Sequence, residues 1–208
     1  MVIVVKSRNL YKKSKLVYGI GLNDVDYSVQ RYERINGKQV RVWTCPFYSI
    51  WARMLNRCYS EKSHQRHPTY IGCSVCKEWL VFSNFKAWME MQPWEGKQLD
   101  KDLLVKGNKV YSPDTCVFVD ARINTFTIDS AKTRGKYLIG VNWNKSLSKF
   151  HARCSNPFTS KKEHLGLFDD ELEAHLAWKQ RKHELANQLA DICGNEKLAI
   201  ALRNRYLV

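Results

Sequence analysis

Turn-forming residues divide the chain into short segments, and this division limits the folds that it can adopt. Asn36-Gly37, Gly107-Asn108 and Pro113-Asp114 are strong turn signals. Between them, apolar residues recur either every second residue, as in strands, or every third and fourth residue, as in helices. The pattern therefore predicts an α+β fold of short strands and several helices, with a hairpin at Asn36-Gly37.

The clearest helical spacing lies at Pro46–Cys58, where Pro46 suits the first turn. A polar loop is expected at Ser60–Pro68 and a second helix at Phe82–Met89. A long helix should begin after Asp169 or Asp170, and Asn195 should cap a last one. The apolar stripe of the long helix is expected to comprise Leu172, Ala174, Leu176, Trp178, Leu185 and Leu189.

Two groups of strands are expected. Leu99–Val105 predicts a strand with Asp100 and Asp102 on one face, by the two-residue period. Thr115–Val119 predicts another, followed by a helix that Asp120 caps. After the basic segment Asp129–Lys136 come three further candidates: Tyr137–Trp143, Lys149–Ser155 and His164–Phe168.

The charge balance indicates a polyanionic partner. The 34 Lys and Arg exceed the 20 Asp and Glu, which gives a net charge of +14, and cations that neutralise phosphates release counterions. No apolar run approaches the roughly 20 residues of a membrane span. Seven cysteines without a secretion signal favour buried thiols or metal ligands over disulfides. We therefore expect a soluble, cytosolic protein that binds nucleic acid and no membrane.

Residues from about Cys45 to Phe126 resemble the degenerate HNH nucleases of phage genomes, also called His-Me finger or ββα-metal nucleases. The central motif is Leu99-Asp100-Lys101-Asp102, Gly107, Tyr111-Ser112-Pro113, Cys116 and Asn124. The upstream matches are Trp51, Met54, Arg57, Cys58, Tyr70, Gly72, Val75, Cys76, Trp79, Phe82, Phe85 and Trp88.

The HNH resemblance implies catalytic residues. Asp100 matches the carboxylate that holds one divalent metal, Mg²⁺ or Mn²⁺, and Asn124 matches the ligand on the helix. Lys101 stands where the family has its general-base histidine, and Asp102 matches a second motif carboxylate. The catalytic candidates are thus Asp100, Lys101, Asp102 and Asn124. The alternative is a fold that binds DNA and has lost its chemistry.

A structural zinc site is a further expectation. Cys73-x-x-Cys76 has the spacing of a zinc knuckle, and Cys58 and Cys116 flank it. His64 or His67 could replace one thiolate. The competing interpretation is that these cysteines are small buried apolar residues, as we expect for Cys154 and Cys193.

Residues from Tyr137 resemble the Apetala/ethylene-response-factor DNA-binding domain. Gly140-Val141, Lys149–Ala152, Leu165–Phe168 and Glu173-Ala174 match its pattern. The resemblance implies a three-stranded sheet packed on a helix, with the sheet in the DNA major groove. The predicted DNA contacts are Lys132, Arg134, Lys136, Asn142, Trp143, Asn144, Lys145, Lys149, Arg153, Lys161 and Lys162.

Together these patterns predict four parts: a basic, irregular lead-in (1–44), an HNH-like, treble-clef-like nuclease core (45–128), a basic linker (129–136) and a DNA-binding domain of three strands and a helix with a C-terminal helix (137–208). The expected function is that of a phage homing-endonuclease-like protein acting on double-stranded DNA in the host cytoplasm. One alternative is an inactive DNA-binding regulator or architectural protein. Another is a phage protein that binds a host protein through aromatic faces at Trp51, Trp79 and Trp88, whose helical spacing also fits a core.

Overall fold

The computed structural model describes residues 16–128 and 135–207 and shows an α+β protein. It divides into two compact units: unit 1 is Met1–Gln92 with Lys109–Asp114, and unit 2 is Pro93–Asn108 with Thr115–Val208. No helix in the described residues could cross a membrane. The elements are β1 (Gln30–Ile35), β2 (Lys38–Thr44), α1 (Pro46–Tyr59), α2 (Glu61–Arg66), β3 (Ser74–Val75), α3 (Phe82–Glu90), β4 (Gln98–Asp100), β5 (Val110–Tyr111), β6 (Val117–Val119), α4 (Ala121–Thr127), β7 (Val141–Asn144), β8 (Lys149–Ser155), β9 (Lys162–Phe168), α5 (Glu171–Ile192) and α6 (Glu196–Arg205).

Unit 1 begins with the predicted hairpin. Strands β1 and β2 pair antiparallel, and Asn36 and Gly37 both have positive φ at the two-residue turn. This is the backbone that a tight hairpin turn requires and that Asn-Gly adopts readily. The turn prediction is confirmed.

Helices α1 and α3 form the apolar centre of unit 1, as predicted. Trp51 of α1 is fully buried, and its indole Nε1 donates to the carbonyl of Trp79 at 2.6 Å. Phe82 of α3 packs on Trp51 with ring centroids 5.3 Å apart. Because Trp51 and Trp79 are core residues, they do not form an exposed aromatic face.

The loop expected at Ser60–Pro68 contains a short helix instead. Helix α2 begins after Ser60, whose hydroxyl accepts from the amide of Ser63, and Glu61 lies in its first turn. The prediction was wrong because a capping serine and an acidic first turn stabilise a helix start even without an apolar stripe.

The first half of unit 2 is a strand pair followed by a helix. Strands β4 and β6 pair antiparallel, and α4 follows β6 directly. The predicted cap is confirmed, since the Asp120 carboxylate accepts from the amide of Ile123 at 2.8 Å.

The predicted strand Leu99–Val105 is too long. Strand β4 ends at Asp100, whose Oδ1 accepts from the amides of Asp102 and Leu103 at 2.9 and 2.7 Å. An aspartate that binds the next amides along the chain turns the backbone out of the strand. Asp100 and Asp102 therefore do not share a strand face.

The second half of unit 2 is the predicted three-stranded sheet packed on a long helix. Strands β7, β8 and β9 are antiparallel in that order, and Val141, Ala152 and Gly166 align across them. Helix α5 packs on the face of the sheet that carries Val141 and Ala152, and its Ala174 contacts them. Asp170 caps α5 and Asn195 caps α6 through side-chain oxygens.

Both halves of unit 2 share one hydrophobic core. Leu185 and Leu189 of α5 pack in the same cluster as Val119 of β6 and Phe126 of α4. The two compact units therefore do not coincide with the four predicted parts of the sequence. Those parts were defined by sequence pattern and stay predictions. The predicted α5 stripe is wrong at Leu172 and Leu176, which are 56% and 41% exposed.

The close approach of Gly140 to Trp178 gives a stability prediction. Gly140 has φ +85°, and a Cβ there would lie 2.1 Å from Trp178 Cγ. We expect Gly140→Ala to cost roughly 2–5 kcal/mol in the free energy of unfolding, from backbone strain and overpacking together. Gly194→Ala is the control, because Gly194 has φ +65° and open space around it. Urea unfolding should show a clearly smaller loss for the control, and equal losses would contradict the steric argument.

Candidate functional site

The strand pair and helix of unit 2 carry two predicted site residues, Asp100 and Asn124. Asp100 ends β4 opposite Val117 of β6. Gln98, two residues earlier, lies on the same face of the strand, and Asn124 of α4 donates to its side-chain oxygen. Helix α4 therefore approaches the face of β4 that carries Asp100.

Asp100 is a largely buried carboxylate in a mixed environment. Burial raises its pKa, and the negative charge of Asp102 raises it further, while the bonds from the amides of Leu103 and Asp102 lower it. The net direction is upward. The carboxylates of Asp100 and Asp102 repel each other, and the repulsion is strong because Asp100 is largely buried. A cation near them would relieve that repulsion.

Lys101 points inward and closes the loop that follows β4. The residue is only 7% exposed. Its ammonium donates to Asp102 Oδ2 at 3.2 Å and to the Asn108 carbonyl at 3.0 Å, while the Asn108 amide donates to the Lys101 carbonyl at 2.6 Å. Lys101 is thus a buried cation paired with Asp102.

The oxygen donors at this site suit a hard divalent cation. Asp100 and Asp102 supply carboxylates and Asn124 an amide, which are the ligand types of Mg²⁺ and Mn²⁺. In the described part of the chain, no three His, Cys, Asp or Glu side chains converge as a metal cluster. The residues that could hold a cation here are Asp100, Asp102 and the Asn124 side-chain oxygen.

The predicted zinc ligands fall in both compact units. Cys58, Cys73 and Cys76 belong to unit 1 and Cys116 to unit 2. Cys58 and Cys73 are buried, and burial raises the pKa of Cys76, which disfavours the thiolate. His64 contacts the Arg57 carbonyl, and His67 lies against Tyr70. Zinc remains a prediction. Cys154 is a core residue as expected, whereas Cys193 is half-buried.

The sheet of unit 2 presents one face away from α5, which we call the outer face. Residues paired directly across an antiparallel sheet share a face, and Asn142 pairs with His151, Arg153 with His164 and Ser155 with Lys162. The outer face comprises Asn142, Asn144, Lys149, His151, Arg153, Ser155, Lys162, His164 and Leu167. It carries no acidic side chain, since Glu163 lies on the other face and accepts from Arg181 of α5 at 2.7 Å.

Side-chain contacts orient the centre of the outer face. The Arg153 Nε donates to His151 at 3.1 Å, and the His151 ring lies beside His164 with centroids 4.5 Å apart. Desolvation lowers the pKa of His151, and the charges of Arg153 and His164 lower it further. Lys149 pairs with Asp169, just beyond β9, at 2.9 Å. Arg153 and Lys162 are thus outer-face cations without a carboxylate beside them on that face.

The other predicted DNA contacts are distributed around this face. Asn142 and Asn144 lie on it, and Lys145 and Lys161 lie in the turns at its ends. Trp143 lies on the opposite face, where it packs edge-on against Phe150 at 4.8 Å. Lys136 precedes β7 and is exposed, whereas Lys132 and Arg134 lie outside the described residues.

Three polar residues of the outer face were not predicted from the sequence: Ser155, His151 and His164. The signal for the first two was present, because both follow the two-residue period that begins at Lys149. His164 required the register between β8 and β9, since a bulge after Ala152 shifts the pairing there.

Comparison with known proteins adds no family assignment. No protein-family model, curated protein or solved structure matches this chain.

The buried Asp100 carboxylate gives a pH-dependent stability prediction. A carboxyl whose pKa is higher in the folded than in the unfolded protein costs stability once the pH exceeds its unfolded value. Asp100→Asn keeps the oxygen that accepts from Asp102 and Leu103. We therefore expect the variant to be more stable than the wild type at pH 7, and the difference to disappear near pH 3, below the ordinary aspartate pKa of about 3.9.

Urea unfolding at the two pH values measures this difference. Asp120→Asn is the matched control, because Asp120 caps α4 and asparagine caps equally well. A less stable Asp100→Asn protein at pH 7 would show that the charge of Asp100 is favourable, contrary to our argument.

Proposed function

We propose that the chain is a double-stranded DNA-binding protein that contacts DNA with the outer face of its three-stranded sheet. The observation that carries this proposal is the composition of that face, which has cations, amides and imidazoles but no carboxylate. Helix α5 occupies the opposite face, so the outer face is the side of the sheet available to a partner.

The dimensions and chemistry of the outer face suit the major groove. A β-ribbon fits a groove about 12 Å wide, and arginine pairs with guanine there while asparagine pairs with adenine. Arg153 lies at the centre of the face and Asn142 on the neighbouring strand β7. Lys149 and Lys162 would contact phosphates, and the net charge of +14 favours a polyanion overall.

The test is DNA affinity as a function of salt for Lys149→Ala/Lys162→Ala. Each lost phosphate contact should reduce the slope of log K against log salt by about 0.9, so we expect a slope smaller by about 2 and weaker binding at low salt. The control is Lys179→Ala/Lys197→Ala, which removes the same charge from helices α5 and α6. Equal behaviour of the two double variants would contradict binding through the outer face.

A second candidate function is metal-dependent phosphodiester hydrolysis at the Asp100 site. The order of strand β4, strand β6 and helix α4, with Asn124 bonded to Gln98 beside Asp100, favours it. This order agrees with the resemblance to phage HNH homing endonucleases. A divalent cation bound there would stabilise charge on the leaving oxygen and lower the pKa of bound water.

The residues of this site would act in different ways. Asp100 and Asn124 would hold the cation, and Asp102 would hold the Lys101 ammonium in place. Lys101 is paired with Asp102, so it would stabilise negative charge rather than take a proton from water.

Nicking of supercoiled DNA tests this candidate. We expect nicks with Mg²⁺ or Mn²⁺, none with chelator, and at least about a 100-fold loss in Asp100→Asn, as for an essential electrostatic group. Asp120→Asn, which removes one negative charge outside the site, should nick normally. Metal-independent nicks, or full activity of Asp100→Asn, would contradict hydrolysis at this site. DNA that is bound but intact would favour the alternative of an inactive regulator or architectural protein.

A host-protein partner is the remaining alternative. It would have to use residues other than Trp51 and Trp79, since both are buried in unit 1. Nothing in the outer face favours a protein over DNA, and its lack of carboxylates favours the polyanion.

A further inference from the structure

Unit 2 contains a cavity of about 790 Å³ beside the sheet. Its walls come from three places: helix α4, the end of β8 with the following turn, and one side of helix α5. This space exceeds that of a few water molecules and is in the range of small-molecule sites. The cavity is separate from the Asp100 residues, none of which lines it.

The charges that line the cavity all have the same sign. Arg122, Arg153 and Lys182 line it, and no Asp or Glu does. Arg122 is exposed and lies 3.9 Å from Asp120, at the edge of the ion-pair range. A cavity whose wall includes Lys182 and Arg122 and no carboxylate attracts an anion.

Lys182 is the buried cation of the three, with 8% exposure. Its Nζ donates to the carbonyl of Phe126 at 2.6 Å and lies over the Phe126 ring at 3.5 Å. No ion pair joins it to a carboxylate in the part of the chain that the structure describes. Burial lowers the pKa of Lys182 to about 8. An ammonium has three donors, so an anion in the cavity could accept from it and compensate its buried charge.

The remaining lining is partly apolar, with Ile128, Ile139 and Pro157, and partly aromatic and polar. Trp178 and Phe126 are buried aromatic side chains of the wall, and Ser155 and Ser160 add hydroxyls. The Trp178 ring is already stacked on His175 and Lys182 lies over the Phe126 ring, so these side chains would contact a nucleobase as apolar wall, while cations bind its phosphate. A ligand that combines a flat ring with a phosphate therefore matches both kinds of wall.

We propose that this cavity is a binding site for a nucleoside monophosphate unit, with its phosphate near Lys182 and Arg122 and its base against Trp178. Arg153 belongs both to the cavity wall and to the outer face, so the cavity adjoins the proposed DNA surface. The ligand could be a free nucleotide or an unpaired nucleotide of bound DNA, since both have the same chemistry. The site goes beyond the proposed function and does not require that the outer face bind DNA.

Isothermal titration of the full chain with deoxyadenosine monophosphate, without DNA, tests the site. We expect binding at or below the millimolar range, and at least about tenfold weaker binding of deoxyadenosine, which lacks the phosphate. Lys182→Met, of similar length and uncharged, should also bind the monophosphate at least about tenfold more weakly. Lys179→Met on the same helix, outside the cavity wall, is the control and should bind as the wild type does. Arg122→Ala, at an exposed position, replaces Lys182→Met if that variant does not fold.

The outcomes separate this proposal from DNA binding by the sheet. No heat from the monophosphate up to about 5 mM, or unchanged binding in both Lys182→Met and Arg122→Ala, would overturn the cavity site. Lys149→Ala/Lys162→Ala should leave monophosphate binding unchanged, so a failure of the outer-face proposal would not affect it. Repeating the titration with saturating duplex identifies the source: loss of the heat indicates a nucleotide of the DNA, and retained heat indicates a free nucleotide.

Discussion

The burial of helix α5 is the constraint on which unit 2 depends. Its 22 residues must bury apolar side chains on two sides. Ala174 contacts the sheet beside Ala152, while Leu185 and Leu189 pack in the cluster that contains Phe126 of α4. Because the helix lies against one face of the sheet, the sheet has one apolar and one solvated face. The charged outer face is thus a consequence of where α5 packs.

Unit 2 also buries charge that a purely structural core would not need. Asp100, Lys101 and Lys182 are all largely withdrawn from water, and each is held by specific polar contacts. Burying an ionisable group costs free energy unless its partners compensate. Lys101 has Asp102 as a partner, whereas Lys182 has a carbonyl and aromatic rings. Such costly groups are found more often where a protein binds or reacts than elsewhere.

The order of elements in the structure can be set beside the two resemblances, which themselves remain proposals. A strand pair followed by a helix lies in the segment that resembles HNH nucleases. Three strands followed by a helix lie in the segment that resembles the Apetala/ethylene-response-factor domain. The structure establishes the α+β class, and the specific families remain proposals. What the structure adds is physical: it joins both segments through one core, so they pack as a single compact unit.

The local sequence predicted features that depend on a few neighbouring residues. The Asn36-Gly37 turn, the caps at Asp120, Asp170 and Asn195, and the limits of β8 were all correct. Each depends on a backbone preference or on a hydrogen bond that spans at most three residues, so the information lies within the segment itself. The outer-face positions of Lys149 and Arg153 follow from the two-residue period for the same reason.

Burial and register were decided only by the tertiary structure. The end of β4, the exposure of Leu172 and Leu176, the inward position of Lys101 and the face of Trp143 could not be deduced from spacing. An amphipathic pattern shows which side chains could be buried together, but the partner element determines how much of the stripe it covers. The sequence by itself therefore determined most of the elements, the turns named above and the excess of positive charge. The packing of α5 decided which face of the sheet is open to solvent and which residues line the cavity, because these depend on contacts between residues far apart in the chain.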